Sequence, residues 1–173
     1  MIPNFKAHPW HGISAGEDAP NVVNVFVEIV PSDTIKYEVD KETGYLKVDR
    51  PQKFSNIIPA LYGFVPRTYC DKEVMRLAVE SGATDVTMGD HDPLDICVLS
   101  SHNIHAGGLL MEAIPIGGFK MIDGGEADDK IVAVDSKVSF DDINLDLNSS
   151  LEQLLTSISI EPNTSKNGFQ MVS

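Results

Sequence analysis

Apolar and polar side chains alternate most clearly from Asn21 to Val30, where Val23, Val25, Val27 and Ile29 fall on one face of a predicted strand. Phe26 and Glu28 fall on the other face, so Glu28 is expected among less buried neighbours. Ile35 to Val39 and Tyr45 to Val48 read as two more strands. They flank Asp40-Lys41-Glu42-Thr43-Gly44, a hairpin turn closed by glycine. Further strands are predicted at Asp95 to Ser100, Leu109 to Ile116, Phe119 to Ile122 and Lys130 to Val134. Gly107-Gly108, Gly117-Gly118 and Gly124-Gly125 punctuate them. Many short strands with regular turn signals predict a closed or nearly closed β-barrel. Lys72 to Ser81 reads as a short surface helix ended by Gly82. Asn148 to Ile158 reads as a second helix, capped by Ser149 or Ser150, with Leu151, Leu154, Leu155 and Ile158 on one face. Beyond Glu161-Pro162 the chain turns polar. Residues 1–173 are therefore expected to form a single domain whose end, 160–173, is a loosely ordered tail.

Composition narrows the functional classes. The chain has 173 residues, 42% of them hydrophobic and 23% charged, as expected of a globular domain with a real core. Its net charge of −13 argues against nucleic acid, which needs a basic footprint. A small anion stays open as a ligand provided that bound metal first reverses the local potential. No apolar run approaches the roughly 18 residues of a membrane-spanning helix, and no membrane partner is expected. The first residues carry no apolar stretch of a secretion signal. Cys70 and Cys97 are too few for a disulfide framework, so a reducing, cytoplasmic location is the expectation.

The chemistry concentrates in Gly89-Asp90-His91-Asp92-Pro93-Leu94-Asp95, directly ahead of the apolar run Ile96-Cys97-Val98-Leu99. Two unit charges 4 Å apart repel by about 4 kcal/mol at an effective dielectric of about 20. The chain supplies no Lys or Arg between Met88 and Lys120 to relieve that repulsion. Oxygen-only ligands at such density suit Mg²⁺, Mn²⁺ or Ca²⁺ better than zinc. An EF-hand reading fails, because Pro93 stands at its fourth position and Asp95 where glycine must turn. A second acidic group, Asp123-Gly124-Gly125-Glu126-Ala127-Asp128-Asp129-Lys130, lies between two predicted strands. Lys36 in a strand, Arg50 after one, and Lys130 are cations that either pair with nearby acids or hold an anion. Metal-binding carboxylates together with Lys and Arg suit phosphoryl transfer. No glycine-rich phosphate loop and no nucleophilic-serine motif is present.

Asp90-His91-Asp92-Pro93-Leu94-Asp95-Ile96 resembles the Asp-x-Asp-Pro-apolar-Asp-apolar signature of the soluble family I inorganic pyrophosphatases. Phe26-Val27-Glu28-Ile29, Ile35-Lys36-Tyr37-Glu38, Val48-Asp49-Arg50, Leu61-Tyr62-Gly63-Phe64, Pro115-Ile116-Gly117 and Asp128-Asp129-Lys130-Ile131-Val132-Ala133-Val134 follow in that family's order. The resemblance runs from about His8 to Asp135. It implies a mainly β (α+β) chain: an OB-like closed β-barrel with a few flanking helices, the C-terminal one shortened relative to the family. It implies an inorganic diphosphatase, hydrolysing pyrophosphate to two orthophosphates by metal-activated water, with Mg²⁺ as cofactor and Mn²⁺ as the alternative. By the same resemblance Asp90, Asp95 and Asp128 are ligands of activating metals, Asp95 bridging two of them, and Glu28 and Asp123 serve metals that arrive with substrate. The resemblance further implies that Asp92 takes the proton of the attacking water, that Lys36, Arg50 and Lys130 bind phosphate, that Tyr62 is a substrate-binding site tyrosine near the metals, and that Glu38 is a supporting acid. Relatives of this kind are homo-oligomers, hexamers or dimers. Family members carry a Tyr-Lys pair on a late helix, whereas no tyrosine follows Tyr69 here and Lys166 stands alone beyond Leu155. That departure leaves a second reading open, a catalytically weakened divalent-metal or phosphate-binding protein on the same scaffold. The stretch from Tyr69 to Gly89 is longer than the resemblance requires, and nothing in the sequence assigns it a role.

Overall fold

The computed structural model describes residues 6–52 and 59–138 together with the backbone of 170–172. The strands are β1 (Val23–Ile29), β2 (Ile35–Val39), β3 (Leu46–Pro51) and β4 (Leu61–Phe64), followed by helix α1 (Lys72–Glu80). Then come β5 (Met88–Gly89), β6 (Asp95–Leu99), β7 (Leu109–Lys120), β8 (Ile122–Asp123), β9 (Glu126–Ala127), β10 (Lys130–Asp135) and β11 (Gln170–Val172). The predicted helix at Asn148 to Ile158, and with it the shortened C-terminal helix, lies outside the described residues. Of the predicted tail, Gln170–Val172 pairs antiparallel with Gly118–Lys120 of β7.

Five strands close the expected OB-like barrel in the order β1-β4-β6-β10-β7, with β7 returning to β1. Closure removes the unpaired edges that an open sheet would expose. β7 makes this possible by its length: Leu109–Ala113 pair with β1, and Ala113–Phe119 pair with β10. Gly117-Gly118, expected to turn the chain, instead continues this strand opposite Val132 and Ile131. Neither glycine adopts a left-handed conformation, and the bend is taken up by a one-residue slip at Ile116. All barrel pairings are antiparallel except β6 with β10.

Val25, Val27, Ile96, Val98, Ala113 and Ala133 pack inside the barrel. Cys97, Leu99, Phe119, Val132 and Val134 form a second cluster from the opposite faces of the same strands. Burial on both faces explains why β6 reads as an uninterrupted apolar run. A third cluster, Trp10, Phe26, Val39 and Phe64, seats the β2–β3 hairpin on the barrel wall. This corrects the expectation for β1: Phe26 is 4% and Glu28 8% exposed, so both faces are buried. The hairpin turns as predicted, with Gly44 at φ +73° and the Asp40 carboxylate accepting the Thr43 N–H at 2.9 Å. β3 begins at Leu46 and runs on to Pro51, past the predicted end at Val48. No helix among the described residues is long and apolar enough to cross a membrane.

β4 escapes sequence patterning because it is four residues long and contains Gly63. A methyl group at Gly63 would stand 1.9 Å from the Phe26 carbonyl oxygen, so β1 and β4 approach as closely as only glycine permits. Gly63→Ala should cost about 1–3 kcal/mol or more of stability, read as a lower urea midpoint at unchanged slope. At the end of β10, Asp135 is 4% exposed. Its carboxylate accepts hydrogen bonds from the Lys137 N–H (2.9 Å) and the Ser100 hydroxyl (2.7 Å), and pairs with His102 Nδ1 at 2.8 Å. Burial favours the protonated acid, but these partners hold its pKa below the ordinary 3.8. Its contribution to stability is therefore present above about pH 4 and lost as pH falls further. In Asp135→Asn the melting temperature should start lower and fall less steeply as pH drops below about 4.

Candidate functional site

Two parallel pairings bring the acidic segments together. β6 runs beside β10 with Asp95 opposite Lys130. β5 runs beside β9 with Gly89 opposite Ala127, so the next residues of each chain, Asp90 and Asp128, emerge side by side. Antiparallel pairing would have carried them apart. His91 then adopts φ +61°, and the Asp92 N–H turns back onto the Asp90 carboxylate at 3.0 Å.

Bulges set the opposite wall. Glu28 is the extra residue of β1 where Val27 pairs with Gly63 and Ile29 with Tyr62. Its carboxylate accepts the Val39 N–H at 2.6 Å, joining barrel to hairpin. Asp49 is the extra residue of β3, which leaves Lys36 directly opposite Arg50. Lys36 Nζ lies 2.6 Å from Glu38 and 3.8 Å from Asp49, and Arg50 lies 3.5 Å from Asp49.

These elements enclose a cleft of about 540 Å³. All eleven residues singled out in the sequence line it: Glu28, Lys36, Glu38, Arg50, Tyr62, Asp90, Asp92, Asp95, Asp123, Asp128 and Lys130. Lys41, Gln52 and Glu126 line it as well and were not among the candidates. Lys41 lies in what reads only as a turn, yet its ammonium bonds to the Asp92 carboxylate. Glu126 stood in plain view within the second acidic group. Asp129, the neighbour of Asp128, turns away to accept the Met121 N–H at 3.3 Å.

Eight acidic and four basic side chains share this space. Lys130 Nζ sits 2.7 Å from Asp95 and 2.9 Å from Asp128, and 3.3 Å from the Tyr62 oxygen; the Tyr62 hydroxyl in turn donates to Asp95. Burial opposes the charge of Lys130, but Tyr62, Asp95 and Asp128 around it hold its pKa well above the ordinary value. The acids feel the reverse. Burial pushes Glu28 up to about 8, against the Val39 hydrogen bond and with help from Asp95 and Glu38. Burial lifts Asp128 to about 6 despite Lys130, with Asp95 and Asp90 adding repulsion. Asp90 is raised by burial and by the charges of Asp92 and Asp95. Among the described residues no three His, Cys, Asp or Glu side chains form a ready-made ion cage; the ammonium groups of Lys130 and Lys41 lie on the carboxylates instead. The cleft thus offers oxygen ligands in excess, Lys130 buried among them, the more exposed Lys36, Lys41 and Arg50, and a half-exposed carboxylate, Asp92, on a loop with Lys41 upon it.

The sequence model described as inorganic pyrophosphatase matches residues 25–159. An inorganic pyrophosphatase of Chlamydia caviae is 53% identical over 127 residues, 73% of this chain and 59% of that protein. A soluble inorganic pyrophosphatase of Zea mays is 45% identical over 131 residues, 76% of this chain and 52% of that protein. This chain thus spans less than two thirds of the length of these relatives. The crystal structure of inorganic pyrophosphatase from Thermus thermophilus superposes with a TM-score of 0.67 at 22% identity, covering 96% of this chain and 88% of that one, and shows the same fold. With the family model across most of its length and relatives above 50% identity, this chain belongs to the inorganic pyrophosphatase family.

Proposed function

We propose that the protein hydrolyses inorganic pyrophosphate to two orthophosphates with the help of divalent metal. The observation that carries this reading is convergence: eleven residues scattered from Glu28 to Lys130 line one cleft in a chain of this family.

The residues fit a hard dication. Every acid of the cluster offers oxygen, and burial with mutual repulsion raises Glu28, Asp90 and Asp128 above their ordinary pKa values. An added positive charge relieves both strains. Asp90, Asp95 and Asp128 would hold the activating ions, with Glu28 and Asp123 serving those that accompany substrate. Mg²⁺ is the proposed cofactor, with Mn²⁺ as the alternative. The metal supplies positive charge that makes water a stronger acid and shields the phosphate oxygens.

The protein does the rest. Lys36, Arg50 and Lys130 neutralise the outer oxygens of pyrophosphate, and their separate positions fix both phosphoryl groups at once. Tyr62 and Glu38 hold Asp95 and Lys36 in place, the first by its hydroxyl and the second at 2.6 Å. Water attacks one phosphorus in line with the bridging oxygen; its proton goes to the Asp92 carboxylate, and the bridging P–O bond breaks with its electron pair on the departing orthophosphate. Lys41 on Asp92 keeps that carboxylate turned toward the cleft. We further propose a cytoplasmic homo-oligomer, hexamer or dimer. Cys70 and Cys97, both free and buried, suit a reducing compartment, and the exposed Tyr45, Val48, Leu110 and Ile116 offer apolar contact surface.

Phosphate release from pyrophosphate, with Mg²⁺ and with chelator, is the direct test: metal-dependent release is expected, and folded protein that releases none would overturn the proposal. Asp92→Asn should lower kcat by about 10²–10⁴-fold while changing Mg²⁺ affinity little; equal loss of both would remove Asp92 as proton acceptor. Mg²⁺ or Mn²⁺ should raise the melting temperature of the protein by linkage. Asp95→Asn should remove most of that rise together with turnover, and near-normal turnover in the variant would contradict a metal-sharing Asp95.

A further inference from the structure

The segment from Cys70 to Gly89 puts no side chain into the cleft among the described residues, and α1 itself buries only Ala78. Its backbone nevertheless touches both acidic loops. At one end, Cys70 accepts the His91 N–H at 2.9 Å and donates its own N–H to the Asp92 carbonyl at 2.9 Å. At the other, β5 pairs with β9, and the Thr87 N–H and hydroxyl both donate to the Gly125 carbonyl, at 3.0 and 3.3 Å. Gly89 closes the two ends on each other: a methyl group there would stand 2.5 Å from the Cys70 carbonyl oxygen. Helix α1 packs on β5 and β9, and Lys120, at the end of β7, bonds to Ser81 at the end of the helix.

We propose that this segment is a brace that fixes the spacing of the Asp90–Asp95 loop from the Asp123–Asp128 loop, with Thr87 as a positioning residue for divalent-cation binding. The inference rests on reading those acids as a dication site. Two loops crowded with carboxylates repel each other, and only a tie between them keeps the ligand oxygens at one spacing before a cation arrives. A preset spacing spares the cation the cost of ordering the loops. The barrel supplies one such tie at Asp95 and Lys130; the brace supplies the second at Gly89 and Ala127. Asp90 and Asp128 each follow that second tie directly, so a slip there moves both.

The test titrates the full chain with Mn²⁺ alone and follows the paramagnetic resonance of the free ion, so that affinity is read without turnover. Thr87→Pro removes the N–H and the hydroxyl that reach Gly125. It should weaken Mn²⁺ binding about tenfold, in the range seen for residues that orient metal ligands, while the barrel melts within a few degrees of wild type. Thr87→Ser, which keeps both donors, should bind as wild type does. A folded Thr87→Pro protein with unchanged affinity overturns the brace and leaves the dication site standing. A wild-type protein that takes up no Mn²⁺ overturns the dication site and the brace with it. Should Thr87→Pro not fold, wild-type hydrogen exchange decides: coupling is reciprocal, so Mn²⁺ should slow exchange of the Thr87 amide about tenfold or more relative to amides of the β2–β3 hairpin. Equal effects on both would overturn the proposal.

Discussion

Lys130 between Asp95 and Asp128 is the contact on which the site depends. Its ammonium lies within 3 Å of both carboxylates and within 3.3 Å of Tyr62, in a cleft where acids outnumber bases. The contact exists because β6 and β10 are parallel. That is the one pairing in the barrel that is not antiparallel, and it sets a strand start beside a strand start. Both strands are buried on both faces beyond their first residues, so Asp95 and Lys130 are the points where an apolar ladder opens onto polar space. A slip of one residue along either strand would turn Ile96 or Ile131 toward the cleft and drive the charge of Asp95 or Lys130 into the core. Packing of the core therefore fixes the spacing of the charges at a precision that the charges could not achieve for themselves.

The same logic explains Glu28. A carboxylate pushed up to about 8 is costly to ionise, and an ordinary position on β1 would have turned it into the valine core or into the cluster around Phe26. The bulge in β1 gives it a third direction, and the Val39 N–H gives it a partner. That hydrogen bond also anchors the hairpin bearing Lys36, Glu38 and Arg50. One buried acid thus holds the basic wall of the cleft against the acidic one.

What was legible in the sequence divides along physical lines. Ile35–Val39 and Asp95–Leu99 could be read because alternation, or an unbroken apolar run, reports burial by neighbours nearby in sequence. The helix at Lys72–Glu80 could be read from its closing glycine and its polar surface. β4 and the two-residue strands β5, β8 and β9 could not, because pieces so short are made by their partners rather than by their own propensity. Gly117-Gly118 misled: glycine marks a turn only where the chain needs a left-handed residue, and here it marks continuation of a long strand. For the site, the signature Asp90 to Asp95 carried most of the information, and all eleven residues named from the acidic clusters, the strand cations and the resemblance line the cleft. Lys41 was hidden because a lysine in a turn has no local feature that distinguishes solvent from a distant carboxylate. Its partner Asp92 lies 51 residues away, and only tertiary structure brings them together.

On the proposed function, a chain of net charge −13 that takes a polyanion needs its repulsion concentrated and then reversed. Scattered over the surface, those charges would be screened within about 10 Å and would bind nothing in particular. Gathered in a cleft with low-dielectric walls, they would make a potential that favours divalent cations over monovalent ones. Once collected, cations of double charge leave a local excess of positive sign that single charges could not. In the proposed role, Lys36, Arg50 and Lys130 would then act in a field that already favours phosphate. On the proposed function, acidity overall and affinity for an anion are one design: the carboxylates would not oppose the substrate but recruit what draws it in.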